Sequence, residues 1–469
     1  MDNKYKVLFA VLIGSMLGPI DASVVNVAMP TFSKVFNAPV TTVSWVSMSY
    51  LLVLSSLLLT FGRLGDLMGY KSLYITGMGV FTASSLFCGL ANKIGVLIFF
   101  RALQAAGAGM MMAVAPAIIT NTFPKSERGK ALGFNAMSVA VGLAIGPSLG
   151  GFLLTYYGYR SIFLINIPIG LLGMLLSNKV IPRFERKKKE PFDIEGAFLA
   201  FVFLFSILTF LSKGQEYGWS SKKSIFLLLF SIISFVLFIL REKRFTHPML
   251  DLTLFKNRMF AASNISCLLN YTAQYMMIFL MPFFLTKSGY SSSEIGIIMT
   301  AFPLTVLLIA PISGILSDKF GSLILSTIGA GISALSLVLL SKMPFNFRSI
   351  DVITRLIIFG IGNGLFQTPN NSAVMGSAPK DKQGVAAGVL ATMRNTGMVL
   401  GIALSGGLLA LRQNYYLRIL PKVSNINELS FLYGVKDALF LAAFIDFLCI
   451  LTSSTRGKNE ESIEEDVFK

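Results

Sequence analysis

Charged residues and histidine are scarce in this chain, and their scarcity excludes most classes of soluble enzyme. Asp, Glu, Lys and Arg make up 13% of the 469 residues, against about 25% in an ordinary soluble domain. The only histidine is His247, and the three cysteines Cys88, Cys267 and Cys449 all lie in apolar runs, which predicts neither a disulfide framework nor a metal site. No phosphate-binding loop or nucleophile–base set occurs either. We therefore expect no enzyme activity, no cofactor and no metal.

Long apolar segments are abundant instead. The chain is 54% hydrophobic with a mean hydropathy of +0.70, and a helix needs about 20 apolar residues to cross a bilayer core. These windows predict an all-α membrane protein with fourteen transmembrane helices, near 7–29, 43–62, 72–92, 95–120, 131–155, 161–178, 195–212, 224–241, 259–285, 293–316, 323–342, 351–371, 383–411 and 436–454.

Basic residues give the chain a net charge of +17, and their placement indicates membrane orientation rather than nucleic-acid binding. They lie in short connections between the apolar segments, with an excess at the N-terminus and in the connections after even-numbered segments. Such connections face the cytoplasm. We therefore predict a multi-pass cell-membrane protein with both termini in the cytoplasm and no nucleic-acid partner.

An internal repeat predicts the architecture. The pattern Gly-x-Leu-x-Asp-x-x-Gly at 62–69 returns at 314–321, an offset of 252, and four glycines between 129 and 146 return at an offset of 255. Two parallel halves are typical of secondary transporters that work by rocking. The predicted division is a six-helix bundle at 1–180, a basic linker with two inserted helices at 181–256, a second six-helix bundle at 257–455, and an acidic disordered tail at 456–469.

Asp21 is an ionisable residue in the middle of the first apolar segment. A carboxylate at that depth costs at least about 2.5 kcal/mol, so it normally faces a cavity or a partner. Arg101 lies at the same depth, about 21 Å from the inner end of its own segment by helical rise, so a pair or a shared polar network is available. The alternatives are a structural carboxylate bound by backbone donors beside Pro19, and an Arg101 side chain that reaches to the outer surface.

Other polar or glycine-rich groups are candidates for the transport machinery. The connection at 62–71 predicts a conformational latch between the halves, or alternatively a plain tight turn, and its residues are Gly62, Asp66, Gly69, Lys71 and, in the repeat, Asp318. Gly142, Gly146, Pro147, Gly150 and Gly151 predict a tight, bendable helix face, which could equally be ordinary small-residue packing. The predicted substrate cavity contains Asn26, Gln104, Met111, Asn270, Tyr271, Gln274, Gln367 and Asn370. Arg394 and Asp446 are predicted to neutralise each other as a structural ion pair.

These motifs together resemble the major facilitator superfamily, and within it the fourteen-helix drug:proton antiporters of the QacA and EmrB type. The similar segments are Asp21 to Pro30, Gly62 to Lys71, Arg101 to Gly107, Gly142 to Gly151, and Arg160 to Gly170. The resemblance implies a major facilitator fold of two six-helix repeats plus two inserted helices. It identifies 142–151 as the antiporter motif and implies export by exchange with protons.

The expected function is proton-coupled export of amphipathic small molecules by alternating access, with Asp21 and Arg101 coupling the proton. A single cavity acid favours neutral, zwitterionic or singly cationic substrates. The alternative is a dedicated exporter of one endogenous metabolite, lipid or peptide on the same scaffold. The expected partners are the substrate, protons and the lipid bilayer, and the protein is expected to be a monomer.

Overall fold

A computed structural model describes residues 3–124, 127–182, 193–218, 220–244, 252–344, 346–379, 383–421 and 426–456. Within these ranges the secondary structure is entirely helical. The helices are α1 Asn3–Val35, α2 Val40–Met68, α3 Tyr70–Leu90, α4 Ile94–Thr122, α5 Arg128–Tyr157, α6 Ser161–Leu164, α7 Asn166–Val180, α8 Ile194–Tyr217, α9 Lys222–Arg244, α10 Arg258–Lys287, α11 Ser292–Phe320, α12 Ser322–Ser341, α13 Ser349–Gly376, α14 Gln383–Ile419 and α15 Ile426–Ser454. A 3₁₀ turn at Leu252–Lys256 precedes α10.

The all-α membrane class is confirmed, although the count of fourteen spans is not reproduced. Twelve helices in the described part of the chain are long and apolar enough to cross a membrane, with α6 and α7 together forming one of them. The two long helices outside this set are α8, in which the described residues include the shorter apolar stretch Glu195–Ile207, and α15.

The connection predicted at 62–71 is wrong in extent, because α2 continues as a helix to Met68. Only Gly69 leaves the helical conformation, with φ of 93°, and α3 starts at the next residue. The repeat does the same at Gly321, where φ is 83° between α11 and α12. A residue without Cβ adopts this left-handed conformation without strain. The other glycines of the motif do not need it and stay helical.

The predicted helix at 161–178 is interrupted at Ile165, which separates α6 from α7. Pro168 lies in the first turn of α7. Proline has no N–H to donate to the carbonyl four residues earlier, so a continuous helix loses a hydrogen bond there. The break places Asn166 at the start of α7, with its side chain buried.

The chain divides into two compact units. Unit 1 comprises Met1–Phe238 and Gly289–Thr300, and unit 2 comprises Ile239–Ser288 and Ala301–Lys469. In unit 1, α1 packs on α5 and α7, while α4 packs on α2 and α3. In unit 2, α10 packs on α14 and α15, while α12 packs on α13 and α15. The predicted tail beyond residue 456 and the linker residues 183–192 and 245–251 lie outside the described residues.

The repeat is visible in the packing inside each unit. In unit 1 a methyl group added to Gly77 of α3 would lie 2.8 Å from the Gly107 carbonyl oxygen of α4. In unit 2 a methyl group on Gly329 of α12 would lie 2.6 Å from the Gly362 carbonyl oxygen of α13. Both contacts are backbone to backbone, so both helix pairs depend on glycine for their close approach.

Candidate functional site

Asp21 lies in the middle of α1 and is 1% exposed. The helix is continuous across Pro19 and Pro30 on either side. Ser23 donates a hydrogen bond to the Pro19 carbonyl oxygen at 2.9 Å, one turn back. The carboxyl group therefore projects from regular helix into the interior of unit 1.

Three side chains from two other helices bind the Asp21 carboxyl group. Arg101 Nη1 of α4 forms an ion pair with Oδ2, and Gln104 Nε2 of α4 donates to Oδ1 at 3.0 Å. Asn166 Nδ2 of α7 donates to the same Oδ1 at 2.8 Å. All three donors are N–H groups, which cannot accept a proton from a carboxylic acid. The arrangement therefore fits a carboxylate.

Arg101 is fixed inside the bundle and does not reach to the membrane surface. Its Nη1 also donates to Gln104 Oε1 at 2.6 Å, and its Nε donates to the Val46 carbonyl oxygen of α2 at 3.2 Å. The guanidinium carbon lies 4.2 Å from the centre of the Tyr50 ring, a cation–π contact. Arg101 is 1% exposed, so the pair with Asp21 is shielded from solvent and lipid.

Two members of this network are missing from the predicted site. Ser85 of α3 accepts a hydrogen bond from Gln104 Nε2 at 2.7 Å, and its own hydroxyl donates to the Phe81 carbonyl oxygen at 2.8 Å. Asn166 contacts both Asp21 and Ser85. Asn166 lies in the segment Arg160 to Gly170, which resembles the family. This resemblance is the only feature of the sequence that indicates a functional role for Asn166. Ser85 is one neutral polar residue within an apolar run.

The glycine-rich segment 142–151 of α5 packs against the part of α1 that contains Asp21. A methyl group on Gly142 would lie 3.2 Å from the Met16 carbonyl oxygen, and one on Gly150 would lie 3.0 Å from Val24 Cα. On Gly146 it would overlap Ser23 Oγ. The backbones of α1 and α5 are therefore in direct contact above and below Asp21. The α5 helix is continuous across Pro147.

The remaining motif residues face the beginning of α11, which belongs to unit 1. A methyl group on Gly151 would lie 3.0 Å from Gly296 Cα, and one on Gly296 would overlap the Pro147 carbonyl oxygen. Ser148 and Thr300 share a hydrogen bond between hydroxyl oxygens at 2.7 Å. The α5 helix thus uses one glycine face for α1 and another for α11.

The latch residues remain a prediction. Gly62 lies within α2, and the side chains of Asp66 and Asp318 are outside the described set. Lys71 Nζ donates to the Asn178 carbonyl oxygen at 2.7 Å, near the end of α7 and within unit 1. A cation is favourable at that end of a helix.

The predicted cavity residues are divided between the two units. In unit 1, Asn26 Oδ1 accepts a hydrogen bond from Ser47 at 3.1 Å, and Met111 is 1% exposed. In unit 2, Gln367 donates to Gln274 at 3.0 Å. Each of these side chains contacts its own bundle, and a cavity lined by them stays a prediction.

The predicted ion pair between Arg394 and Asp446 is wrong. Asp446 Oδ1 accepts from Asn270 Nδ2 of α10 at 3.1 Å, and Oδ2 contacts the Ser333 hydroxyl of α12. Arg394 of α14 interacts instead with the Tyr271 side chain of α10. The two side chains have different partners, although helical rise predicts a common depth for them.

Arg456 is also placed differently from the prediction, which assigned it to a disordered tail. It is 1% exposed, donates from Nη1 to Ser326 Oγ at 3.1 Å, and donates from Nη2 to Asn370 Oδ1. The guanidinium carbon lies 5.9 Å from the centre of the Phe366 ring. Asn370, predicted for the cavity, therefore binds a buried arginine.

Comparison with known proteins gives the family. The profile described as the Major Facilitator Superfamily matches residues 11–402. The chain belongs to the major facilitator superfamily. It is therefore a multi-pass membrane transporter and not an enzyme.

Relatives in the superfamily carry different functional names. A riboflavin transporter of Clostridioides difficile is 35% identical over 99% of this chain and all of its own length. A multidrug resistance protein of Mycobacterium tuberculosis is 31% identical over 86% of this chain and 75% of its own. A solved bacterial homologue of the human lysosomal transporter Spinster has a TM-score of 0.72 at 16% identity, over 97% of this chain and 98% of that one, which shows the shared fold.

Proposed function

We propose that this major facilitator protein is a proton-coupled exporter of amphipathic small molecules, and that Asp21 carries the proton. The observation that supports the proposal is the buried Asp21–Arg101 pair at the centre of unit 1. A buried carboxylate is expensive in a membrane protein and normally serves the transport pathway.

Coupling follows from competition between Arg101 and a proton for the same carboxylate. While Arg101, Gln104 and Asn166 donate to Asp21, Oδ1 accepts two hydrogen bonds and Oδ2 accepts one, and none of the three bonded groups is an acceptor for an acid proton. If α1 moves away from α4, the carboxylate loses its cation and is left in a low-dielectric interior. It then takes up a proton, because desolvation disfavours the charged form. Asp21 is therefore charged while the pair with Arg101 is intact, and protonated while the pair is broken.

The energy source is proton entry. One elementary charge that moves inward gains about 2.3 kcal/mol per 100 mV of membrane potential, in addition to any pH gradient. The glycine face of α5 gives α1 a smooth surface on both sides of Asp21, which is suited to a small displacement of α1. We further propose that both termini are cytoplasmic, in line with the placement of the basic residues. We also propose that the protein is a monomer.

The test is transport in reconstituted vesicles with an imposed pH gradient, using ethidium as the probe. Asp21→Asn should abolish gradient-driven accumulation and keep gradient-independent ethidium exchange, because the amide cannot carry the proton. The matched control is Asp351→Asn, which alters an exposed carboxylate that accepts a hydrogen bond from the Arg348 N–H at the start of α13. Undiminished gradient-driven transport in Asp21→Asn would overturn the assignment.

A dedicated transporter of one metabolite is the second candidate, favoured by the full-length match to a riboflavin transporter. Riboflavin is itself an amphipathic molecule, and we propose the same proton-coupling residues for both candidates. Vesicles loaded with riboflavin, ethidium or a neutral dye distinguish them. A polyspecific exporter should move several of the compounds, whereas a dedicated transporter should move riboflavin alone.

A further inference from the structure

Unit 2 also buries a carboxyl group, and the proposed function does not use it. Asp446 of α15 is 0% exposed, and so are its partners Asn270 and Ser333. Both partners are neutral. An isolated carboxylate in such an interior costs far more than a neutral acid, unless a cation compensates it.

The charged groups around Asp446 are bound elsewhere. Among the helices that pack on α15, α12 contains no ionisable side chain. The α10 helix contributes Cys267, Tyr271 and Tyr275, with Arg258 and Lys287 at its two ends. The α14 helix contributes Arg394 and, towards its end, Arg412, Tyr415, Tyr416 and Arg418. The α15 helix itself adds Cys449, and Arg456 follows its end. Arg394 interacts with Tyr271, and Arg456 donates to Ser326 and Asn370. Within the described residues no basic side chain bonds Asp446.

The hydroxyl group of Ser333 indicates where a proton resides. Ser333 Oγ contacts Asp446 Oδ2 and also lies 3.2 Å from the Ala330 carbonyl oxygen. A hydroxyl has a single proton to donate, so a carboxylate at Asp446 would leave one of these contacts between two acceptors. A protonated Asp446 resolves both contacts. The acid donates to Ser333 Oγ, and Ser333 donates to the Ala330 carbonyl oxygen.

We infer that Asp446 is a second proton-binding site, occupied in the state described, in which α15, α12 and α10 hold a neutral carboxylic acid. Its use in the transport cycle rests on the proposed function, whereas its occupancy rests on the hydrogen bonds alone. When the site is open to water, one carboxyl oxygen takes a proton from hydronium, so an O–H bond forms on the acid as one breaks in hydronium, and the reverse step returns the proton to water.

Infrared spectroscopy of the full chain in lipid at neutral pH tests the occupancy. The wild type should show the carbonyl stretching band of a protonated carboxyl group. This band should be absent in Asp446→Asn and present in Asp21→Asn. Asparagine has the same shape as the neutral acid, so this variant should fold. Spectra of wild type and Asp446→Asn that are identical in this region would overturn the inference.

A second variant tests the proton's position without removing the acid. Ser333→Ala deletes the acceptor of the acid proton, so the band should move to higher frequency. Ser336→Ala is the matched control, because Ser336 is equally buried on α12 and donates to the Arg355 carbonyl oxygen instead. An unmoved band in Ser333→Ala would overturn the proposed hydrogen bond.

The number of protons per transported ethidium tests the use of the site. Asp446→Asn should lower the ratio by one while transport stays coupled, because Asp21 is intact. An unchanged ratio would overturn a role for Asp446 in the cycle. If Asp21→Asn stays coupled while the infrared band is found, the proposed role of Asp21 fails and the proton site at Asp446 stands.

Discussion

The two units bury the same three chemical groups on different helices. In unit 1 the acid Asp21 is on α1, its amide partner Asn166 is on α7 at 2.8 Å, and Ser85 of α3 completes the group. In unit 2 the amide Asn270 is on α10 and the acid Asp446 is on α15, at 3.1 Å. The hydroxyl again comes from the third helix of the repeat, as Ser333 of α12. Acid and amide have thus exchanged positions.

Each unit has an arginine at this repeat position, but only one of the two acids forms an ion pair with it. Arg101 of α4 pairs with Asp21, whereas Arg355, 254 residues later on α13, donates to the carbonyl oxygens of Leu339 and Asp351. One scaffold therefore provides a site suited to a carboxylate and a site suited to a neutral acid. The difference lies in one cation and not in burial, which is complete at both acids.

The largest predicted effect is on stability, and it concerns the two arginines. Arg101→Met removes the cation that pairs with Asp21. We expect a loss of about 3–5 kcal/mol in the free energy of unfolding at alkaline pH, where Asp21 stays charged, and a smaller loss at lower pH, where it takes up a proton. Arg355→Met is the matched control and removes hydrogen bonds to backbone carbonyl oxygens, at a cost of about 1 kcal/mol. Denaturant titration of both variants in detergent measures the difference. Equal losses would contradict the comparison.

A double variant separates charge from packing at this site. Asp21→Asn combined with Arg101→Met removes both charges and should recover most of the stability lost in Arg101→Met. If the double variant is as unstable as Arg101→Met alone, then Arg101 stabilises the fold mainly through the packing of its guanidinium against Tyr50.

The pairing of Asp21 with Arg101 was predictable because both are charges within apolar runs, and helical rise places them at one depth. Depth does not give the direction in which a side chain projects. That is why Arg394 and Asp446, matched by the same reasoning, do not meet. Neutral side chains such as Ser85 and Ser333 can be buried in an apolar segment without the free-energy cost of a charge. The sequence therefore does not distinguish them from other small polar residues.

The repeat predicted the glycine contacts better than it predicted the ends of the helices. Gly77 and Gly329, at an offset of 252, make equivalent backbone contacts in the two units. The glycines at 62–71 predict a turn, whereas α2 stays helical through Gly62 and Gly65 because it packs on α4. Gly65 stays helical, and a methyl group there would overlap Val114 of α4 and lie 3.2 Å from Tyr70.

The second predicted effect compares equivalent glycines of α5 and α14. An added methyl group at Gly146 meets the Ser23 side chain, whereas at Gly401 it meets the Thr272 carbonyl oxygen of the α10 backbone. Overpacking costs about 1–3 kcal/mol, and a side chain yields more readily than a backbone. Gly401→Ala should therefore lower the unfolding midpoint more than Gly146→Ala.

Removal of the obstructing side chain makes this comparison sharper. Adding Ser23→Gly to Gly146→Ala should recover the stability that Gly146→Ala loses. The recovery should fall short by about 1 kcal/mol, which is the cost of a glycine within a helix. Thr272→Gly should not restore Gly401→Ala, because the obstructing carbonyl remains. Rescue in both units, or in neither, would contradict the predicted difference between side-chain and backbone contact.

The smallest predicted effect concerns Lys71, whose repeat position 252 residues later is Leu323. Lys71→Leu gives unit 1 the residue of unit 2 and removes the hydrogen bond to the Asn178 carbonyl oxygen. A cation near a helix C-terminus contributes about 0.3–1 kcal/mol and is screened by salt. The unfolding midpoint should fall slightly at low salt and match the wild type at high salt, while Lys71→Arg should match it throughout. Loss of transport in a folded Lys71→Leu would show that the contact serves the conformational cycle, because its contribution to stability is too small to account for such a loss.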